Sequence, residues 1–456
     1  MNLLMKADSY KVSHFNQYPD GTEHVYSYIE PRKGTTPVVI IGINDFIDQL
    51  GTSPDLLSIS LLEDVAERHG VPFNRDGWTA LVQKYQGKHW PLVIMGVPEG
   101  TVVEPQTPVA CICNTDPEFP WLTSFFETLF LRCVWYPSSV ASVSRYCKTR
   151  IAEYMEKTGA DMDTLPFKLH DFGARGATCG EAAAKGGAGH LINFMGTDTL
   201  EAIEYVADNY GDPMAGFSIP ATEHSTVTSW GRDCERQMYE RFLQNNLGAG
   251  KIAACVSDSY NIWEALEMWK ELEPVLLEVG GTLVIRPDSG DPIETPVKVI
   301  KELMQLFGHT TNAKGFKVLP DHIRVIQGDG INEQSLVRIL QRLYDAKISI
   351  DNIAFGMGGG LLQKVDRDTY GWAMKCSAAR VNGEWRDVYK DPIGGGKTSK
   401  KGLVNTKLYP CDYEVADVYL HNALAWGGFV TYYRNGTRIP KPTWSDIRER
   451  AEVKGI

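Results

Sequence analysis

The residues of this chain best equipped for chemistry sit at the ends of apolar runs of strand length. Arg286-Pro-Asp-Ser-Gly290 gathers a guanidinium, a carboxylate, a hydroxyl and a glycine into five positions. A carboxylate there can accept two hydrogen bonds in a fixed geometry and so hold ribose hydroxyls. The same five residues also suit an Asp-Ser-Gly turn with a structural ion pair. Gln327-Gly-Asp-Gly330 and Gly356-Met-Gly-Gly-Gly360 end two neighbouring runs. Glycine lets backbone N–H groups approach an anion closely, and a helix beginning just beyond adds its dipole. Neither segment has the spacing of a P-loop or a Rossmann fingerprint. Glu223-His224 follows Ser218-Ile-Pro-Ala221, and Asp258 ends the next apolar run. A lone histidine is more often a satisfied structural residue than a catalyst. This one, flanked by Glu and Ser with a carboxylate at the next run end, suits proton transfer or a nucleophile oriented by an acid. Arg32, Arg367, Lys375 and Lys397 lie outside the main helical faces. Each alone is ordinary surface, and only a polyphosphate substrate would gather them.

Six such runs share one layout: residues 167–173, 216–224, 253–259, 282–290, 323–330 and 353–360. They recur every roughly 30 to 50 residues, the length of a strand–helix unit. Continuous apolar runs are the mark of parallel strands buried on both faces. In a β/α barrel the chemistry lies at the C-terminal strand ends, with phosphates often bound at the last two. The expected fold is therefore α/β: an irregular β/α barrel plus a mixed α+β domain built from the N-terminal and C-terminal segments. Residues 1–158 form the N-terminal part of the mixed domain, 159–377 the barrel, and 378–456 a C-terminal segment packing on the N-terminal domain. Within the barrel, helices are predicted over 181–194, 201–210, 226–247, 260–273, 296–307 and 333–346, with a strand-end turn at 195–198. Outside it, 25–29 is a strand, 58–68 and 76–85 are helices, and 92–103 holds two short strands. Residues 121–135 are aromatic-rich and apolar all round, as in a buried or interface helix, and 144–157 is a second helix. A hairpin is expected over 380–389, and 394–401 is a flexible basic loop.

Composition narrows the class. At 456 residues the chain is long enough for two cores. With 43% hydrophobic and 23% charged residues it has the make-up of a soluble globular protein. The net charge of −11 argues against nucleic acid as a partner. The nine cysteines are scattered. Several, such as Cys111, Cys113, Cys133 and Cys255, lie in apolar runs, which points to buried thiols in a reducing compartment. No apolar stretch reaches the roughly 18 residues of a membrane helix, and the N-terminus has no signal-peptide pattern. A cytoplasmic protein is expected.

In order along nearly the whole chain, several segments resemble the nicotinamide phosphoribosyltransferase family of dimeric type II phosphoribosyltransferases. They are Asp8-Ser-Tyr-Lys-Val12, Gln17-Tyr-Pro19, His170-Asp-Phe-Gly-Ala-Arg-Gly176, Asn193-Phe-Met-Gly-Thr-Asp198, Pro220-Ala-Thr-Glu-His-Ser225, Val256-Ser-Asp-Ser-Tyr260, Ile285-Arg-Pro-Asp-Ser-Gly290, Val325-Ile-Gln-Gly-Asp-Gly330 and Phe355-Gly-Met-Gly-Gly-Gly-Leu-Leu-Gln-Lys364. The resemblance implies transfer of phosphoribosyl from 5-phosphoribosyl 1-pyrophosphate to nicotinamide, with Mg²⁺ on the pyrophosphate and ATP as co-substrate. It implies that Phe172 stacks on the pyridine ring with Tyr10 of a second subunit on the other face, that Arg175 lies beside the ring, and that Asp198 accepts from the carboxamide NH₂. Arg286 and Asp288 would address the base and ribose region, and Gly328, Asp329, Gly358 and Gly359 the ribose and 5′-phosphate. Arg32, Arg367, Lys375 and Lys397 would grip pyrophosphate or ATP phosphates, partly across the dimer. His224 resembles the family's phosphorylated histidine, assisted by Asp258. The chain departs from the animal members in a short segment between Arg32 and Val38, in Ala174 where those carry Tyr, and in the 394–398 loop. These departures bear on loop contacts, affinity and regulation by ATP.

Three rival readings follow. A nicotinate phosphoribosyltransferase shares the fold, but a carboxylate at Asp198 would repel nicotinate. A barrel metal hydrolase would want clustered histidines such as His-x-His at the first strand end, where this chain has only His170. A non-enzymatic binding protein on this scaffold would have lost site residues that are all present here.

Overall fold

The computed structural model describes residues 2–393, 398–406, 425–426 and 428–453. Lys397 and the first half of the 394–401 loop therefore lie outside the described residues. The chain divides into two compact units, Met1–Ser139 with Asp366–Ala451, and Val140–Val365 with the chain from Glu452. The first boundary falls inside the helix Glu127–Thr158, where 121–135 and 144–157 had been expected as separate helices. After a short helix Leu122–Phe125, one helix of 32 residues runs on and accommodates Pro137.

The first unit is organised by a mixed-order antiparallel sheet. Its strands run Glu384–Asp387, Ala373–Val381, Thr22–Glu30, Ala110–Asn114, Leu92–Gly96, Phe429–Arg434 and Ala425–Trp426, with Thr437–Arg438 paired to Phe429–Arg434. The expected 380–389 hairpin is the first pair. Thr22–Glu30 and Ala110–Asn114 sit in the middle and are buried almost throughout, with His24, Ser27 and Glu30 as buried polar residues of the first. Helices Ile43–Leu50, Leu56–His69 and Arg75–Tyr85 cover the sheet. The aromatic stretch from Trp121 is core: Trp121, Leu122, Phe125, Phe126, Leu129 and Phe130 are buried with Trp78 and Trp90. Edge-to-face contacts such as Trp78–Phe125 and Trp90–Phe126, both 5.1 Å between centroids, add to the area buried.

The second unit holds a six-stranded parallel sheet in the order Gly196–Thr197, Leu169–Asp171, Ile353–Met357, Ile323–Gln327, Thr282–Arg286, Ile252–Val256. Five of the six predicted runs are strands. The sixth, 216–224, forms only isolated bridges, Phe217 to Gly196 and Ala221 to Ala254. Phe217 N donates to Met195 O at 2.7 Å and its carbonyl accepts from Thr197 N at 3.0 Å, while Thr222 N and Ala254 N exchange bonds with Ala254 O and Pro220 O. The segment thus leans on one edge strand at its start and on the other at its end, joining the two edges of the curled sheet into a ring. Pro220 lacks the N–H that a continuous ladder requires. The expected turn at 195–198 contains the two-residue strand Gly196–Thr197.

Helices Gly180–Leu191, Leu200–Tyr210, Ile262–Glu271, Glu294–Phe307 and Glu333–Asp345 follow the strands. The single helix predicted over 226–247 is instead His224–Thr228 and Glu235–Asn246. Gly231, at φ +83°, breaks it, because an L-residue helix cannot pass through that region. Inside the ring Ala254, Val284 and Ile326 pack together with Phe172, Ile219 and Ala354. The eight described cysteines are all free, with Cys111, Cys113, Cys133, Cys147 and Cys255 buried. Among the described residues no helix is long and apolar enough to cross a membrane.

Candidate active site

The C-terminal ends of the parallel strands converge on one rim. Phe172 follows Leu169–Asp171, and its N–H donates to Met357 O at 3.0 Å. Its ring lies against two bare glycines. A Cβ built on Gly356 would stand 2.0 Å from Phe172 Cε2, and one on Gly328 would stand 3.4 Å away. Gly356 is therefore glycine because the aromatic ring occupies the space of a side chain. Behind Phe172, the fully buried Asp171 accepts from Gly173 N at 2.7 Å and so fixes the turn that carries the ring. Burial pushes the Asp171 carboxyl up to about 6. Arg175 follows in the exposed turn Ala174–Gly176.

Asp198 sits just past the short strand Gly196–Thr197. Its N–H donates to Asp171 O at 2.9 Å, and its Oδ1 accepts from Ser218 Oγ at 2.5 Å. On the other side of the rim, His224 Nε2 lies 2.9 Å from Asp258 Oδ1, and His224 Nδ1 lies 3.9 Å from Asp288 Oδ2. Asp258 is a two-handed acceptor, since its Oδ2 also takes the Asp288 N–H at 3.0 Å. Burial alone would raise the Asp258 carboxyl, but bonds from Ser289, His224 and the Asp288 N–H outweigh it and hold the group below its ordinary range. Arg286 Nη2 is 3.8 Å from Asp288 Oδ2, and the buried Arg286 Nε has no hydrogen-bond partner.

The glycine turns complete the rim. Gln327 Nε2 donates to Asp329 O at 3.0 Å, shaping the 327–330 turn and leaving the Asp329 side chain exposed, while Gln327 Oε1 is buried without a partner. A Cβ on Gly328 would also lie 3.9 Å from Asp288 Oδ1, and one on Gly358 would lie 3.5 Å from Phe172 O. Phe172, Gly328, Asp288, Asp258, His224 and Gly358 are thus one continuous surface, with Asp198 tied to it through Asp171.

Gly359 opens the short helix Gly359–Leu362 just past that rim, and the other described predicted residues belong to the first unit. Arg32 Nε donates to Gly371 O at 3.1 Å, and Arg367 pairs loosely with Asp368. Lys375 lies opposite Tyr28 in the sheet. Burial holds the Lys375 ammonium below its usual range; Glu127 opposes this, and Arg32, Lys11 and Lys390 add to the lowering. That fourfold gathering of cations within an acidic chain is the kind of cluster a polyphosphate needs. Lys11, which pairs with Glu127, was not singled out in the sequence, where its charge carries no pattern. Tyr10 is 55% exposed, with its ring edge-on to His14. Ser218 and Gly356 were likewise quoted only as parts of motifs. A serine before Ile-Pro gives no signal, whereas the glycine could have been found by asking where the Phe172 ring must go.

The chain is a phosphoribosyltransferase by its relatives: it belongs to the nicotinate phosphoribosyltransferase family, whose model matches residues 167–423. A model of the nicotinamide phosphoribosyltransferase N-terminal domain matches residues 2–94. The chain is 44% identical to the nicotinamide phosphoribosyltransferase of Xanthomonas campestris pv. campestris (strain 8004), over 99% of this chain and 98% of that one. It is 31% identical to the enzyme of the same name from Acinetobacter baylyi, over 99% and 97%. Among solved structures, the nicotinate-nucleotide pyrophosphorylase of Pyrococcus furiosus aligns with a TM-score of 0.58 at 13% identity, covering 99% of this chain and 95% of that one. Human nicotinic acid phosphoribosyltransferase aligns at 0.56 and 15%, covering 97% and 92%. Both similarities show the fold.

Proposed function

We propose that this protein transfers the phosphoribosyl group of 5-phosphoribosyl 1-pyrophosphate to nicotinamide, giving nicotinamide mononucleotide and pyrophosphate. The observation that carries this reading is the Phe172 ring seated on Gly356 and Gly328, with the Asp198 carboxylate at the adjoining strand end and Asp288 on the other side. A planar base stacks on the ring and its carboxamide NH₂ donates to Asp198, which directs the pyridine nitrogen toward a ribose held at Asp288 and Asp329. The C1′–O bond breaks with its electron pair leaving on pyrophosphate, and the pyridine lone pair forms the C1′–N bond. No proton moves in this step, so the demand on the protein is electrostatic. The unpaired Arg286 Nε is a donor for the base and ribose region. Backbone groups at Gly328, Gly358 and Gly359 suit the 5′-phosphate, and Arg32, Arg367 and Lys375 suit the leaving pyrophosphate. Among the described residues no group of three or more His, Cys, Asp or Glu could hold a metal ion, so Mg²⁺ would find its ligands chiefly on the substrate phosphates. There it would neutralise charge on the leaving group.

His224 is read as the site that ATP phosphorylates. With Asp258 holding Nε2–H, the Nδ1 lone pair is the nucleophile; it takes the γ-phosphoryl as ADP leaves, and water later removes it. The exposed Tyr10 fits a second copy of the chain, in which Tyr10 of the partner subunit would cover the free face of the Phe172 ring. Light scattering at micromolar concentration should then give a dimer, and a monomer would contradict a shared site.

The direct test mixes the purified protein with 5-phosphoribosyl 1-pyrophosphate, Mg²⁺ and either nicotinamide or nicotinate, with and without ATP. Nicotinamide mononucleotide is the expected product; exclusive use of nicotinate would replace this reading with the nicotinate enzyme. Asp198→Asn should lower the nicotinamide-to-nicotinate ratio of kcat/KM by about 10- to 100-fold, because it removes a charge-assisted acceptor and a like-charge repulsion. An unchanged ratio would take this role away from Asp198.

A further inference from the structure

The segment that joins the two sheet edges brings Ser218 to Asp198, and we propose that Ser218 is a positioning residue for base selection, acting by holding the Asp198 carboxylate in one orientation. The inference rests on the proposed transfer to nicotinamide. Asp198 is anchored through its backbone N–H to Asp171 O, but its side chain is exposed. Among the described residues Ser218 Oγ is its one hydrogen-bonding side-chain partner, at 2.5 Å from Oδ1, in the range of a hydroxyl donating to a carboxylate. The contact is set by tertiary structure. Phe217 is fixed on both sides by its bonds to Met195 O and Thr197 N, so the next residue must lie beside the end of Gly196–Thr197. Twenty residues separate the two partners in sequence.

The chemical consequence follows from the two oxygens of a carboxylate. Oδ1 is occupied by the serine hydroxyl, which leaves Oδ2 to accept the carboxamide NH₂ of nicotinamide. Without Ser218 the aspartate keeps its charge but samples several rotamers, and the base must order it on binding. Such a defect weakens the ground state and transition state alike, so it appears in KM and not in kcat.

Steady-state kinetics with nicotinamide, on Ser218→Ala, Ser218→Thr, Asp198→Ala and the Ser218→Ala/Asp198→Ala double variant, test it. Ser218→Ala should raise KM for nicotinamide about tenfold, the scale of one hydrogen bond to a charged group, and leave kcat and the KM for 5-phosphoribosyl 1-pyrophosphate unchanged. Ser218→Thr, which keeps the hydroxyl, should restore KM. In the Asp198→Ala background, loss of Ser218 should cost nothing further. An unchanged KM in Ser218→Ala overturns the inference, as does an equal rise in the Asp198→Ala background, which would place the serine's effect elsewhere. If the unaltered protein makes no mononucleotide from nicotinamide, the proposed function falls and takes this inference with it. If that protein is active and only the serine variants behave as wild type, the function stands and this inference alone fails.

Discussion

Gly356→Ala should lower kcat/KM for nicotinamide by about 10²-fold, the scale of an ångström-sized misplacement in a site built on orientation. The new methyl would stand 2.0 Å from Phe172 Cε2, well inside contact, and the ring is the only part free to move. Strand pairing holds the backbone on both sides: Gly356 lies opposite His170 in register, and Phe172 N is bonded to Met357 O. The ring must therefore swing off its glycine shelf and carry the stacking surface with it. Overpacking of this kind costs roughly 1 to 3 kcal/mol of stability, so the protein should stay folded with a lowered Tm. ATP hydrolysis, assayed in parallel, should survive, because the His224–Asp258 pair lies on other strand ends. Retention of full nicotinamide transfer in Gly356→Ala would show that the base does not use this ring. A second variant, Phe172→Leu, should give a comparable loss while leaving the glycine intact.

His224→Ala should reduce ATP hydrolysis and ATP stimulation by on the order of 10³-fold or more, the usual consequence of deleting a nucleophile. Transfer without ATP should persist, since the base and ribose contacts lie on other residues. Asp258→Asn should also cripple hydrolysis. It keeps the 2.9 Å contact to His224 Nε2 but loses the charge that fixes the tautomer. It should differ from His224→Ala in one respect. Asp258 Oδ2 also accepts the Asp288 N–H, so Asp258→Asn should raise the KM for 5-phosphoribosyl 1-pyrophosphate as well. Phosphorylation can be followed directly as acid-labile, base-stable label from γ-labelled ATP. Label of that kind in His224→Ala would place the phosphoryl group on another residue.

Much of the architecture was legible before any coordinates. The parallel strands announce themselves because burial on both faces demands continuous apolar residues, and a strand end followed by Gly, Asp or His stands out against that background. Five of the six runs were found in this way. The sixth misled, since 216–224 has the same apolar look but pairs at its two ends with different strands, a division that no local pattern records. The helix over 226–247 misled for the opposite reason. Its periodicity continues through Gly231, and only the backbone angle there shows that the chain breaks. The long helix Glu127–Thr158 absorbed a proline that local rules treat as a stop, because the tertiary packing on either side of it holds the backbone in place.

Side-chain identity alone determined which chemistry this protein can carry: a carboxylate, a histidine, cations and glycines at strand ends, arranged as in the phosphoribosyltransferases. Tertiary structure decided who touches whom. That Phe172 rests on Gly356, that Asp258 serves both His224 and the Asp288 backbone, and that Ser218 holds Asp198 are contacts between residues some 20 to 184 positions apart. Spacing along the chain carries no distance information once the chain has passed through a turn and a helix. Pairing of neighbouring parallel strands sets Phe172 on Gly356 and Asp258 beside the Asp288 backbone, and the segment that bridges both sheet edges brings Ser218 to Asp198 and His224 to Asp258.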